Sequence, residues 1–286
     1  NWNYNDGWME RIEPCTWVGL YCQAGHVVRM DLHGRELNGP LPTEIGQLAY
    51  LEYLDLYDNQ LSGPIPSEIG DMGQLEKLVL AENQLSGSIP ASIRNLVNLK
   101  ELGLRTNQLT GPLPPSIGQL ANLEYLSLGE NPFSGPLPPE WGKLGQLKFL
   151  SIYRNPISGT IPPEWGNLSS LENLRIISTQ IGGVIPAEFG NLTALEFLTI
   201  GDNQITGPLP PELGNLPNLL TLELQYNQIT GELPAAWSSL PSIRSISVAY
   251  TPLTGPVPMS FINLSSLNSL DFYSTDICEP PDPIFQ

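Results

Sequence analysis

Few side chains in this 286-residue chain are of the kinds that do chemistry, and their spacing does not assemble them. His26 and His33 are its two histidines, and neither has a free cysteine near it. The serines occupy no G-x-S-x-G turn, so no nucleophile is presented on a strand-to-helix elbow. His33 falls beside Asp31 and Asp55, but a general base also needs a shaped pocket and a nucleophile. Asp31, Asp55 and Asp58 have oxygens enough for Ca²⁺, yet on so acidic a chain solvated carboxylates are the commoner meaning of such a group. A glycosidase-like pair cannot be singled out among 29 Asp and Glu. The glycines follow no phosphate-loop spacing. The chain is predicted to be no enzyme and to use no cofactor and no metal.

Binding by surface contact is better served. Arg105, Tyr125, Phe149, Tyr153, Arg154, Arg175 and Ile177 fall on four consecutive units of a repeat, and three of the chain's 12 cations converge there. Guanidinium groups clamp carboxylate or sulfate, and aromatic rings add contact area. This is the candidate ligand patch. The competing account is that the arginines neutralise Glu101 and Glu130 while the rings cover strand backbone. The net charge of −17 argues against nucleic acid and anionic membranes as partners. No apolar run approaches the roughly 20 residues that span a bilayer, so no membrane insertion by this segment is expected. No signal peptide appears, as in a mature or excised segment.

The elements that position these residues are set by one period. Leu54, Leu78, Leu102, Leu126, Leu150, Leu174, Leu198, Leu222, Ile246 and Leu270 recur every 24 residues without an insertion. A less regular unit surrounds Met30-Asp31-Leu32, giving about eleven in all. Such a period means a solenoid whose units bury their apolar positions against their neighbours. In Leu51–Tyr57 the alternation is that of a strand, with Leu54 and Leu56 inward and Tyr53, Asp55 and Tyr57 outward. Stacked units then form one long parallel sheet. Asn59, Asn83, Asn107, Asn131, Asn155, Asn203 and Asn227 follow the strands, where an amide can satisfy main-chain groups at the bend. Thr179, Thr251 and Thr275 replace it in three units. The Gly-x-Ile/Leu-Pro stretch, as in Gly63–Pro66, suggests a turn and a short flanking strand. Apolar pairs three apart, such as Trp141 with Leu144, suggest a helical or 3-10 turn on the returning arm. Trp141, Trp165 and Trp237 are therefore expected to pack in the core.

Residues 1–25 stand outside the repeat and hold Trp2, Tyr4, Trp8, Trp17 and Tyr21, the aromatics of an N-terminal cap over the first unit. Cys15 and Cys22 are expected to form a disulfide that pins the cap, with Cys278 left over, which points to an oxidising compartment. A zinc site is the weaker alternative. Residues 26–277 are the repeats, and 278–286 a tail or truncated cap.

The unit Leu-x-x-Leu-x-Leu-x-x-Asn-x-Leu-x-Gly-x-Ile-Pro resembles the plant-specific class of leucine-rich repeats, and Pro14–Cys22 resembles the N-terminal cap of those proteins. The resemblance implies an α/β-type solenoid: a right-handed leucine-rich repeat superhelix with a long parallel concave β-sheet, short flanking strands and short helical or 3-10 convex arms. It also implies an extracellular or secreted location and a protein or peptide ligand on the concave face, as in receptor ectodomains. The alternatives are a secreted inhibitor of a microbial cell-wall hydrolase and a structural adhesion protein. No flat, regular Thr or Asn row is expected to face outward, which speaks against ice binding. Asn167, Asn191 and Asn263 begin N-glycosylation sequons on the convex arm.

Overall fold

The computed structural model describes residues 14–278; the expected roles of Trp2, Tyr4 and Trp8, and of the tail after Cys278, lie outside them. The outward alternation of each unit becomes one strand of a 12-stranded sheet that runs the length of the chain. Eleven of these strands, from His26–Asp31 through Tyr53–Asp55 to Ser269–Asp271, are parallel neighbours in repeat order. Their register is the period itself, with Leu54 opposite Leu78 and Leu126 opposite Leu150. The twelfth, Leu20–Gln23, comes from the cap and pairs antiparallel with His26–Asp31. It closes the edge that the first repeat would leave open. The periodicity did not announce it, since it lies before the first unit. The Cys15–Cys22 disulfide joins this strand to the short 3-10 turn Pro14–Thr16, and Cys278 is an exposed free thiol.

The inward leucines make one continuous core. Leu54, Leu78, Leu102, Leu126, Leu150, Leu174, Leu198, Leu222 and Ile246 are fully buried, while Met30 and Leu270 at the two ends are only partly covered. An end unit has a neighbour on one side only, so its apolar positions cannot be sealed. The Asn column is a ladder of buried amides. Asn131 Oδ1 accepts from the Leu109 N–H at 3.0 Å, and its Nδ2 donates to the Leu104, Leu128 and Gly129 carbonyls. Where Thr stands instead, the hydroxyl does part of this work: Thr251 donates to the Val248 carbonyl and Thr275 to the Phe272 carbonyl.

The returning arms are 3-10 turns such as Ser67–Asp71, Pro139–Lys143 and Pro163–Asn167. Trp141, Trp165 and Trp237 are fully buried in them. Each indole Nε1–H donates to a proline carbonyl of the preceding unit, Pro114, Pro138 and Pro210 respectively, so the ring packs without orphaning its donor. Glycine at the turn lets successive arms close up: a Cβ on Gly142 would lie 2.3 Å from the Glu164 carbonyl oxygen. Between the concave strands and the arms runs a row of short parallel strands, Asn38–Pro40, Gln60–Pro64, Gln84–Gly87 and their successors.

Candidate functional site

Three outward positions per concave strand make parallel columns across the sheet. In the middle column Gly103, Ser127 and Ser151 follow one another in register, and Arg175 comes next. Ser127 and Ser151 are buried, so three small residues form the floor of a trough. Along one side stand Tyr125 and Phe149, stacked with centroids 4.4 Å apart and planes 5° from parallel.

The other side is built around Arg105. Its column runs Tyr57, Ala81, Arg105, Gly129, Tyr153, so a small residue separates the arginine from a tyrosine on either hand. The Arg105 guanidinium pairs with Glu82 at 2.8 Å and donates to the Tyr57 hydroxyl at 3.4 Å. The Tyr153 ring lies across Gly129, where a Cβ would come within 2.0 Å of it. Burial works against the charge on Arg105, but Glu82 and the Tyr57 and Tyr153 hydroxyls outweigh it and raise the pKa above its ordinary value. This arginine is thus neutralised and oriented from three directions.

Arg154 is held differently. It sits at the turn after its strand with φ of 50° and pairs with Glu130 at 2.7 Å. Arg175, at the end of the trough, has the Tyr153 ring 5.8 Å from its guanidinium carbon and forms no ion pair among the described residues. The structure therefore brings Arg105, Tyr125, Phe149, Tyr153 and Arg175 around one trough, with Ile177 beside Tyr153 in register. Arg154 is set apart at the turn. Of the expected neutralising pairs, Glu130 does take Arg154, but Glu101 is bound by Lys77 at 2.9 Å and Arg105 turns to Glu82. The Ser151 Oγ on the floor is buried without a hydrogen-bond partner, an acceptor and donor facing nothing in the protein.

Asp58, Glu82, Thr106, Glu130, Arg154, Ser178, Asp202, Tyr226, Tyr250 and Ser274 all have φ between 50° and 57°. They follow each strand and form the left-handed corner of the unit, a conformation that non-glycine side chains enter at some cost.

Near the N-terminal edge Asp31 and Asp55 each have partners within the protein. Asp31 is taken by Arg29 and His33, at 2.8 and 2.6 Å, and Asp55 by the Tyr53 hydroxyl and the Tyr57 N–H. Burial pushes the Asp31 carboxyl up, but the hydrogen bonds from Arg29 and His33 hold it below its usual range. A hollow of about 550 Å³ opens beside them, with Arg29 stacked 3.7 Å over the Tyr53 ring and Lys77 closing the other side. Lys77 pairs with Glu101, Lys100 with Glu76 and Arg29 with Asp31, which leaves Glu52 outside the ion pairs of the described residues. Asn167, Asn191 and Asn263 are exposed at the ends of convex 3-10 turns, away from the concave face.

On the flanking strands a mixed row of Ser and Thr hydroxyls, broken at Gly182, faces outward. Ser62, Ser86, Thr110, Ser134, Ser158, Thr206, Thr230 and Thr254 recur in one position, all half-buried or exposed. The nine stretches from Gln60–Pro64 to Pro252–Pro256 carry a single charge, Glu232. The signal was the Ser/Thr before each glycine, overlooked because the scaffold accounts for that stretch as a turn.

Comparison with known proteins adds the following. A family model described as a leucine-rich repeat region matches residues 84–204, and one described as leucine rich repeat matches 50–72, 194–216 and 218–240. Together they take in more than half of the chain. The structure of a TDR receptor is 36% identical, with a TM-score of 0.84, over 86% of this chain and 43% of that one. The LRR ectodomain of the Arabidopsis receptor kinase HAESA, in complex with an N-terminally extended IDA peptide hormone, is 31% identical, with a TM-score of 0.71, over 92% of this chain and 49% of that one. A plant ice-binding protein is 25% identical, with a TM-score of 0.81, over 98% of this chain and 92% of that one. The chain spans less than half of each receptor chain.

Proposed function

The chain belongs to the plant-type leucine-rich repeat proteins, and we propose that it is a non-catalytic, extracellular recognition module that takes a peptide or protein ligand along its concave face. The observation that carries this reading is the trough between Tyr125/Phe149 and Arg105/Tyr153, with Arg175 unpaired at its end. Arg105 is already neutralised, so Arg175 is the cation available to an acidic group on the ligand, while the stacked rings take its apolar side. The likeness to the HAESA ectodomain and the cap disulfide support an extracellular location. The test is to select peptides by surface display against the parent chain and measure them on Arg175→Glu. Affinity should fall at least tenfold, the price of reversing a charge contact in an interface. Unchanged binding by Arg175→Glu and by Arg154→Glu plus Arg175→Glu would remove the patch from consideration.

A second reading rests on the flank. The uncharged hydroxyl row, repeated at the spacing of parallel strands, and the full-length likeness to a plant ice-binding protein favour contact with ice. In that case Thr206→Lys plus Thr230→Lys should abolish inhibition of ice recrystallisation by the parent. A parent with no effect on recrystallisation refutes it.

A further inference from the structure

Beginning two strands beyond the trough, the C-terminal units carry aromatic residues that the scaffold does not ask for. Tyr226 and Tyr250 occupy the left-handed corner at φ 57° and 55°, where the other repeats place Asp, Glu, Thr, Ser or Arg. A bulky aromatic side chain is disfavoured in that region, and neither ring is repaid by burial: Tyr226 is 52% exposed and Tyr250 42%. The two rings stack on each other at 4.3 Å, and Tyr273, 69% exposed, meets Tyr250 edge-on at 5.4 Å. Three successive units thus hold a row of tyrosines open to solvent.

The charge around this row is one-sided. The ion pairs of the described residues cluster between Arg29 and Arg154. From residue 176 to the end, ten Asp and Glu face one cation, Arg244. Asp202 precedes Tyr226 in the same corner column and is exposed. Asp271 lies two residues before Tyr273, its oxygens accepting, among the described residues, the Tyr273 N–H at 3.1 Å and the Ser247 hydroxyl at 3.3 Å. A carboxylate with two oxygens has further lone pairs to offer.

We propose that the Tyr226–Tyr250–Tyr273 row, with Asp202 and Asp271 beside it, is a docking site for an arginine-bearing peptide segment. A guanidinium is planar and weakly hydrated, so it stacks on exposed rings while its edge hydrogens reach carboxylates. Arg154 and Arg175 share these columns but stand on earlier units, no ion pair among the described residues involves Asp202 or Asp271, and the field of this end draws a cationic chain toward it. A neutral sugar can stack on tyrosines too, but it gains nothing from the uncompensated charge. The site is separate from the mid-solenoid trough and does not depend on the reading given to it.

The test is fluorescence anisotropy of the full chain with a labelled oligo-arginine peptide, an oligo-glutamate peptide and a labelled cello-oligosaccharide. Tyr226→Asn plus Tyr250→Asn leaves the net charge unchanged and places at both corners a residue that accepts the left-handed conformation. Oligo-arginine should bind the parent and bind this variant about tenfold more weakly, as expected from two lost ring–cation contacts. The variant's melting temperature should be equal or higher. Tyr273→Ser, which removes the ring that meets Tyr250 edge-on, should weaken binding a few-fold, and Arg175→Glu should not weaken it. Equal binding by the parent and both tyrosine variants would mean that charge alone holds the peptide and would overturn the proposal. So would binding of the cello-oligosaccharide without oligo-arginine.

Discussion

Two glycines three residues apart on one arm should respond to the same mutation with opposite signs. A Cβ on Gly142 would meet the Glu164 carbonyl oxygen at 2.3 Å, its carbon at 2.7 Å and the Glu164 Cβ at 3.0 Å. These atoms are mostly backbone of the next unit, so relief requires the two arms to part by about 1 Å against a packed core. Overpacking of this kind costs about 1–3 kcal/mol. Gly145 has nothing within 4 Å of an added Cβ and does not lie in the left-handed region. Alanine there narrows the unfolded ensemble and should stabilise by about 0.4–1 kcal/mol. Gly142→Ala should therefore lower the melting temperature by about 4 °C, taking ~2 kcal/mol at ~2 °C per kcal/mol, while Gly145→Ala raises it slightly. Circular dichroism melts and urea titrations of both variants decide the matter. Amide exchange on Gly142→Ala should show the loss concentrated in the arms of residues 139–143 and 163–167, since a solenoid unit touches only its neighbours. Two variants that shift stability in the same direction would refute the close-approach argument. So would a Gly142→Ala protein as stable as the parent.

The remaining predictions concern buried polar groups and one carboxylate. Asn131→Ala orphans the Leu109 N–H and takes one of two donors from each of the Leu104, Leu128 and Gly129 carbonyls, and should cost about 1–3 kcal/mol in urea unfolding. Asn155→Ala should cost less, because the Asn155 Oδ1 has no partner to lose; equal costs would contradict the ladder's role. Trp165→Phe removes a donor from the Pro138 carbonyl and opens a void beside Trp141, so it should destabilise by about 1–3 kcal/mol. Hydrogen bonding from the Thr106 hydroxyl, then from Arg154, holds Glu130 below the usual carboxylate range. Its folded pKa is thus lower than its unfolded one, and its contribution is present above the unfolded value and lost as pH falls through the folded one. NMR titration should find the Glu130 midpoint depressed and moved upward in Thr106→Val; an unmoved midpoint would remove Thr106 from the account.

The scaffold was largely legible because the period repeats each constraint ten times. Leu54 and its successors, the Asn ladder and the buried tryptophans each follow from residue type at a fixed offset. What resisted was whatever depends on the space between repeats. The partner of Arg105 is Glu82, and no spacing rule distinguishes it from Glu101 until side-chain directions are known. Tyr153 lies flat only because residue 129 lacks a Cβ. The corner column looked like open surface, since a φ near 55° leaves no mark when the residues that adopt it are not glycine. The flanking hydroxyls were hidden by the opposite fault, a scaffold explanation so complete that a second meaning went unexamined. The antiparallel strand Leu20–Gln23 had no repeat to echo.

The asparagine ladder has a direction, and with it comes an order of assembly. Asn59 reaches back to the Leu37 N–H and the Leu32 carbonyl, Asn83 to Leu61 and Leu56, Asn107 to Leu85 and Leu80, always toward the unit already made. Wherever the column holds asparagine, a turn of the chain is fastened by an amide that has yet to emerge when that turn leaves the ribosome, whereas Thr251 and Thr275 bond carbonyls of their own units. An asparagine-latched unit made during synthesis is therefore completed only when the next repeat has followed it. A ratchet of this kind lets errors of register be undone at the growing end, before the next asparagine arrives to lock them.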